Sequence, residues 1–126
     1  MPKRITIRSA KNKGMYLQKM IAKRICYLFN IEFNNQDDNC QVRSRTCGLS
    51  GTDIILTGEI YKIFPFDCEC KSVEKPSIKN WIKQAKTNTK DNRNFLLFWK
   101  CKDFKKPVVI LDSEVFFNLL EKLYKK

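Results

Sequence analysis

A chain of 126 residues, 43% hydrophobic and 12% aromatic, carries enough apolar mass for one packed core and hardly enough for two, which excludes a disordered tail and favours one domain over several. The formal net charge of +12 is unevenly placed: the first 31 residues hold eight Lys or Arg and no acid, and Lys71 to Lys106 hold eleven bases against Glu74, Asp91 and Asp103. Such asymmetry suits a phosphate backbone, where each neutralised phosphate releases counterions, while the absence of any apolar run near ~18 residues excludes a membrane-spanning helix.

In chain order, Met1 to Ala10 is charged and lacks an apolar h-region, so no secretory signal is expected and the cytoplasm is the default location. Residues 14–29 read as an amphipathic helix, with Leu17, Met20, Ile21, Ile25 and Leu28 at helical spacing and Gln18, Lys19, Lys23 and Arg24 elsewhere on the wheel. Ile31 to Phe33 and Cys40 to Arg45 are expected as short strands around an Asn- and Asp-rich turn over 34–39. Gly48, Ser50 and Gly51 mark a tight loop. A strand then opens at Asp53, and 57–65 forms a helical turn or loop. Phe66 to Lys71 follows as a strand, its alternation placing Phe66, Cys68 and Cys70 on one face and Asp67, Glu69 and Lys71 on the other. Pro76 and Ser77 introduce a helix whose apolar stripe is Ile78, Trp81, Ile82 and Ala85. Asn94 to Cys101 and Pro107 to Leu111 read as strands joined by the basic turn 102–106. Asp112 then caps a final helix expected to bury Val115, Phe116, Leu119, Leu120 and Leu123. One α/β domain over residues 1–126 is the economical reading.

Six cysteines stand beside no histidine, which removes the commonest mixed zinc sites. The spacings Cys40 to Cys47 and Cys68-x-Cys70, with Cys26 and Cys101 distant, contain no pair of CxxC knuckles. Cys68 and Cys70 also lie in an apolar strand, where a free thiol behaves as a small hydrophobe. Reduced structural thiols are expected, and a Cys-coordinated zinc module is the competing reading.

Among the acids, Glu69 is distinctive because it sits mid-strand in the run FPFDCECK, where a charge is costly unless it is paired or binds a cation. Lys71 projects from the same face about 6.6 Å further along, and Asp53 opens an adjacent strand. Two carboxylates supply hard oxygen ligands for Mg²⁺ or Mn²⁺, and an ammonium beside them can position a water or offset developing charge. A plain Glu69–Lys71 ion pair at a sheet edge is the bland alternative, and E-x-K alone does not decide between them.

The order S-G-x-D-I (Ser50 to Ile54), then F-P-F-x-x-E-C-K (Phe64 to Lys71), then a basic helix containing W-x-x-Q-A (Trp81 to Ala85), resembles the PD-(D/E)XK nuclease superfamily. The chain is most similar to the small Holliday-junction-resolvase-like nucleases of archaea and bacteriophages. With the K-x-K-G segment that begins at Lys11, the resemblance spans nearly the whole chain. It implies a central mixed β-sheet flanked by helices, a restriction-endonuclease-like core, in the cytoplasm of a host cell if the chain is phage-encoded. It also implies Asp53 and Glu69 as metal ligands, the Cys70 carbonyl as a backbone ligand, Lys71 as the catalytic lysine and Gln84 as a supporting helix residue. Resolvase-like members carry Glu in the first helix four residues after the glycine; here that position is Gln18, which can hydrogen-bond but brings no charge to a metal. Thr52 stands where the family name has Pro.

Lys79, Lys83 and Lys86 lie off the apolar stripe of their helix and, with Arg43, Arg45 and Ser50 near the glycine loop, are candidate DNA contacts. The expected partners are DNA and, as relatives of this size commonly pair, a second copy in a homodimer. A homing endonuclease of the same fold and a non-catalytic basic nucleic-acid-binding protein are the competing functions.

Overall fold

The computed structural model describes residues 6–46 and 51–125. Four helices and five strands follow one another as α1 (Ile7–Leu28), β1 (Val42–Ser44), β2 (Ile54–Leu56), α2 (Gly58–Ile63), β3 (Phe66–Ser72), α3 (Ile78–Asn88), β4 (Asn94–Lys100), β5 (Val108–Ile110) and α4 (Ser113–Tyr124). The class is α/β, with a mixed three-stranded sheet. In it β3 and β4 run parallel, pairing Phe66 with Asn94 through Ser72 with Lys100, and β5 returns antiparallel on the far side of β4. The segments β1 and β2 form their own antiparallel ladder, Val42 opposite Leu56. The Asp53 N–H, donating to the Cys68 carbonyl at 3.0 Å, joins that ladder to the edge of β3.

Helix α1 begins seven residues earlier than its apolar periodicity suggests, because Thr6 accepts a hydrogen bond from the Ser9 N–H at 3.1 Å and caps the first turn. The helix runs through Gly14, where a side chain would meet nothing within 4 Å. It stops at Asn30, whose φ of 58° is left-handed. The Asn30 and Ile31 N–H groups then donate to Tyr27 and Cys26 carbonyls at 3.2 and 3.0 Å, closing a Schellman motif. Its buried stripe is Leu17, Gln18, Ile21, Ala22, Ile25 and Cys26, which seats Gln18 inside the stripe and leaves Leu28 exposed at the helix end.

The strand expected over Ile31 to Phe33 does not form. The Ile31 N–H is spent on the Cys26 carbonyl that ends α1, and Asn34 and Asp37 side chains, accepting from the Gln36 and Asn39 N–H groups at 3.1 and 2.9 Å, turn the chain directly after Phe33. Ile31 and Phe33 still pack on the core.

Two apolar clusters cover the two faces of the mixed sheet. On one face α1 meets Cys68, Cys70, Leu96 and Phe98. On the other α3 brings Trp81 and Ala85 against Phe95, Leu97 and Trp99. Each fully buried Leu or Ile contributes on the order of 2 kcal/mol. Helix α4 departs from its expected role: none of its residues is buried, and Phe116, Phe117, Leu119 and Leu123 are 41–59% exposed. The amphipathic pattern is real, but its apolar face is not used against the described chain.

Candidate active site

The pleat of β3 sets out the site. Cys68 and Cys70 go into the α1 cluster, so Asp67, Glu69 and Lys71 face α3. Helix α3 meets them in step: Lys71 Nζ donates to Gln84 Oε1 at 3.2 Å, and Asn88 Nδ2 donates to Glu69 Oε1 at 3.0 Å. Residues two apart on a strand span about 6.6 Å and residues four apart on a helix about 6 Å. The pairs Glu69/Lys71 and Asn88/Gln84 therefore match, with α3 antiparallel to β3. Gln84, singled out in the sequence, meets Lys71; Asn88 was missed, and its one legible signal is the second amide one turn after Gln84.

Asp53 arrives from the β2 side and is held at three points. Its N–H bonds the Cys68 carbonyl, its own carbonyl accepts the Arg45 N–H at 2.8 Å, and its Oδ2 accepts the Cys70 N–H at 2.7 Å. The N–H and C=O of one strand residue point to the same edge, so the Cys70 carbonyl also faces the Asp53 side.

Glu69 is 4% exposed and feels the Asp53 carboxyl as a close neighbour. Burial first, and the Asp53 charge second, push its pKa up from 4.5 to about 7, partly offset by Asn88 and Lys71. Asp53 and Glu69 thus form a close carboxyl pair, with Lys71 two residues beyond Glu69 on the same strand face. Among the described residues, no group of three or more His, Cys, Asp or Glu side chains forms a metal cluster, so the candidate donors are these two carboxylates and a backbone carbonyl.

Asp67 shares the face but serves the fold. It pairs with Arg93 at 2.8 Å, both side chains buried, and accepts the Lys90 N–H at 3.0 Å. Arg93 spends its remaining donors on the Tyr61, Phe64 and Phe66 carbonyls and lies 3.9 Å from the Tyr61 ring centre. This hub ties α2, β3 and the start of β4 behind the site. No local spacing announced it, since 26 residues separate the partners.

Arg45 stretches back across the glycine loop, donating from Nε to the Thr52 carbonyl. Its guanidinium lies 3.1 Å from where a Cβ of Gly51 would stand, and Gly51 has φ +106°, so only glycine permits both. Arg45 and Thr52 border a cleft of about 530 Å³ whose far wall includes Asn88 and Lys90. Arg43 pairs with the exposed Asp38 at 3.2 Å and keeps a buried Nε without a partner among the described residues.

Lys79 and Lys83 are exposed on α3. Lys86 is engaged away from the carboxylates, 3.6 Å from Asp112 and 5.9 Å from the Phe95 ring centre. Gln18 is buried at 9% exposure, its Oε1 unpartnered among the described residues. Ser50 lies outside the described residues.

Comparison of the chain with protein-family models, curated proteins and solved structures returns no match. Among the described residues, no helix is long and apolar enough to cross a membrane.

Proposed function

We propose that this chain is a divalent-metal-dependent DNA endonuclease of the PD-(D/E)XK type, hydrolysing phosphodiester bonds with a preference for branched junctions. The observation that carries the reading is the Asp53–Glu69 carboxyl pair, Glu69 buried and Asp53 half-buried against the Cys70 N–H, with Lys71 on the face of Glu69. Two carboxyls held together at a cost in ionisation are what a cation relieves. The donors are all hard oxygens, with no histidine, which fits Mg²⁺ or Mn²⁺ better than zinc. Asp53 and Glu69 would hold the ion through carboxylate oxygens and Cys70 through its carbonyl. When bound, such an ion offsets charge on the phosphoryl oxygens and acidifies water.

The chain's own groups do the positioning. Asn88 restrains one oxygen of Glu69, and Asp53 is fixed by the Cys70 N–H. Lys71 donates one N–H to Gln84 and keeps two donors for a phosphoryl oxygen or the attacking water. Gln18 adds no charge, so one metal position is the reading. The exposed Lys79 and Lys83 of α3, and Arg45 at the cleft, would contact phosphates flanking the cut. A homodimer would bring two such sites to two strands. The exposed stripe Phe116, Leu119 and Leu123 of α4, at the 3-then-4 spacing of a helix–helix seam, is its interface.

Purified protein is to be incubated with four-way junctions, plain duplex and single strands in Mg²⁺, Mn²⁺ or EDTA, with Glu69→Ala alongside. Metal-dependent cutting that the variant lacks is expected, strongest on junctions. DNA binding without cutting in either metal would leave a non-catalytic nucleic-acid-binding protein instead.

A further inference from the structure

Away from the carboxylates, two thiols converge on one carbonyl. Cys26, in the last turns of α1, is 1% exposed and its Sγ lies 4.0 Å from the Val42 oxygen. Cys40, two residues before β1, places its Sγ 3.3 Å from the same oxygen and 3.6 Å from the Glu32 carbonyl. Both thiols thus point at one backbone oxygen, and burial first, with the neighbouring Cys40 second, raises Cys26 to about 11. The pairing is tertiary, because the Schellman stop at Asn30 and the side-chain turns at Asn34 and Asp37 fold the chain back over the end of α1. Cys40 is the accessible member, half-buried at the surface, with Cys26 behind it.

We infer that Cys26 and Cys40 form a peroxide-responsive dithiol that closes to a reversible disulfide stapling the end of α1 to the entry of β1. The chemistry balances in two steps. Cys40 takes one oxygen from hydrogen peroxide, becoming a sulfenic acid as the O–O bond breaks and water leaves. The Cys26 sulfur then attacks the Cys40 sulfur, its proton and the sulfenic hydroxyl leaving as a second water. Peroxide is the oxidant, reduced to two waters while two thiols lose two hydrogens; a thiol reductant reverses the bond. Cys68, Cys70 and Cys101 are buried in the sheet or at its end and do not take part. The inference does not depend on the nuclease reading.

The sequence supplies a direct assay. No Lys or Arg occurs between Arg24 and Arg43, so trypsin releases both cysteines in one peptide, Ile25 to Arg43, while Cys47 falls in another. The full chain is treated with hydrogen peroxide, alkylated, digested and weighed without reductant. The expected product is that peptide two hydrogens lighter and unalkylated, restored to two alkylated thiols by prior dithiothreitol. A Cys40–Cys47 cross-link joining two peptides would overturn the inference. So would Cys40 sulfinic acid beside an alkylated Cys26, or both thiols alkylated after treatment. Cys47→Ser is expected to leave the product intact and Cys40→Ser to abolish it. The unsubstituted chain already decides the question if a variant folds poorly.

Discussion

Replacing Glu69 by Gln keeps the shape of the side chain, its acceptor for Asn88 and a donor for Asp53, and removes only the ability to ionise. In the wild-type chain the folded-state pKa is raised to about 7 from 4.5, so folding holds this proton more tightly than the unfolded chain does. The sign follows from linkage: the contribution is fully present below pH ~4.5 and is lost as pH rises through ~7. At about 1.4 kcal/mol per pKa unit, the loss by pH 8 reaches up to about 3 kcal/mol, with no discount for solvent because Glu69 is 4% exposed. The Gln variant lacks that penalty. In EDTA it is expected to match the wild type at pH 4.5 and to exceed it by about 2–3 kcal/mol at pH 8, a thermal midpoint difference on the order of 10 °C for a chain of this size. Urea melts followed by circular dichroism at pH 4.5, 6, 7 and 8 measure this directly. A stability difference between the two proteins that stays flat across those pH values would refute the argument that burial and Asp53 hold Glu69 protonated. Under the proposed function, Mg²⁺ stabilises the wild type at pH 8 and leaves the variant nearly unchanged, and the variant does not cut.

Arg93→Ala strands the buried Asp67 carboxylate and frees three carbonyls, so a loss of about 3–5 kcal/mol in urea unfolding at pH 7 is expected; a loss under 1 kcal/mol would show the hub is not holding the sheet. Asn88→Ala removes a donor to a buried carboxyl and is expected to cost about 1–3 kcal/mol at pH 8 but little at pH 4.5, where Glu69 is protonated; equal losses at both would assign Asn88 to packing alone. Lys79→Ala with Lys83→Ala lowers the slope of log binding constant against log salt by roughly 2 if both meet phosphates, measured by anisotropy on labelled duplex. Phe116→Ser with Leu123→Ser is expected to convert a dimer to a monomer in light scattering with the melting midpoint nearly unchanged, since α4 buries none of its residues in the described chain; an aggregated or unfolded product would show that α4 is needed by its own chain.

The elements themselves were largely legible in the sequence, because each is governed by a short-range period or cap. The alternation of Phe66 to Lys71 is the two-residue pleat of β3, and Ile78, Trp81, Ile82 and Ala85 are the stripe of α3. Glu69 stood out for the same reason: an acid amid apolar strand neighbours has few ways to exist. Errors arose where local donors or distant partners decided. Thr6 lengthened α1, and the helix stop took the Ile31 N–H expected of a strand there. Only the tertiary structure set Asp53 against the Cys70 N–H, aligned Asn88 with Glu69, buried Asp67 with Arg93 and brought Cys26 and Cys40 to one carbonyl. Residues 14 to 26 apart meet there through packing, and no periodicity encodes which partner a side chain finds. The same limit explains α4: amphipathic spacing determined that Phe116, Leu119 and Leu123 share a face, whereas whether that face is covered depended on where the sheet left it, and the sheet left it exposed.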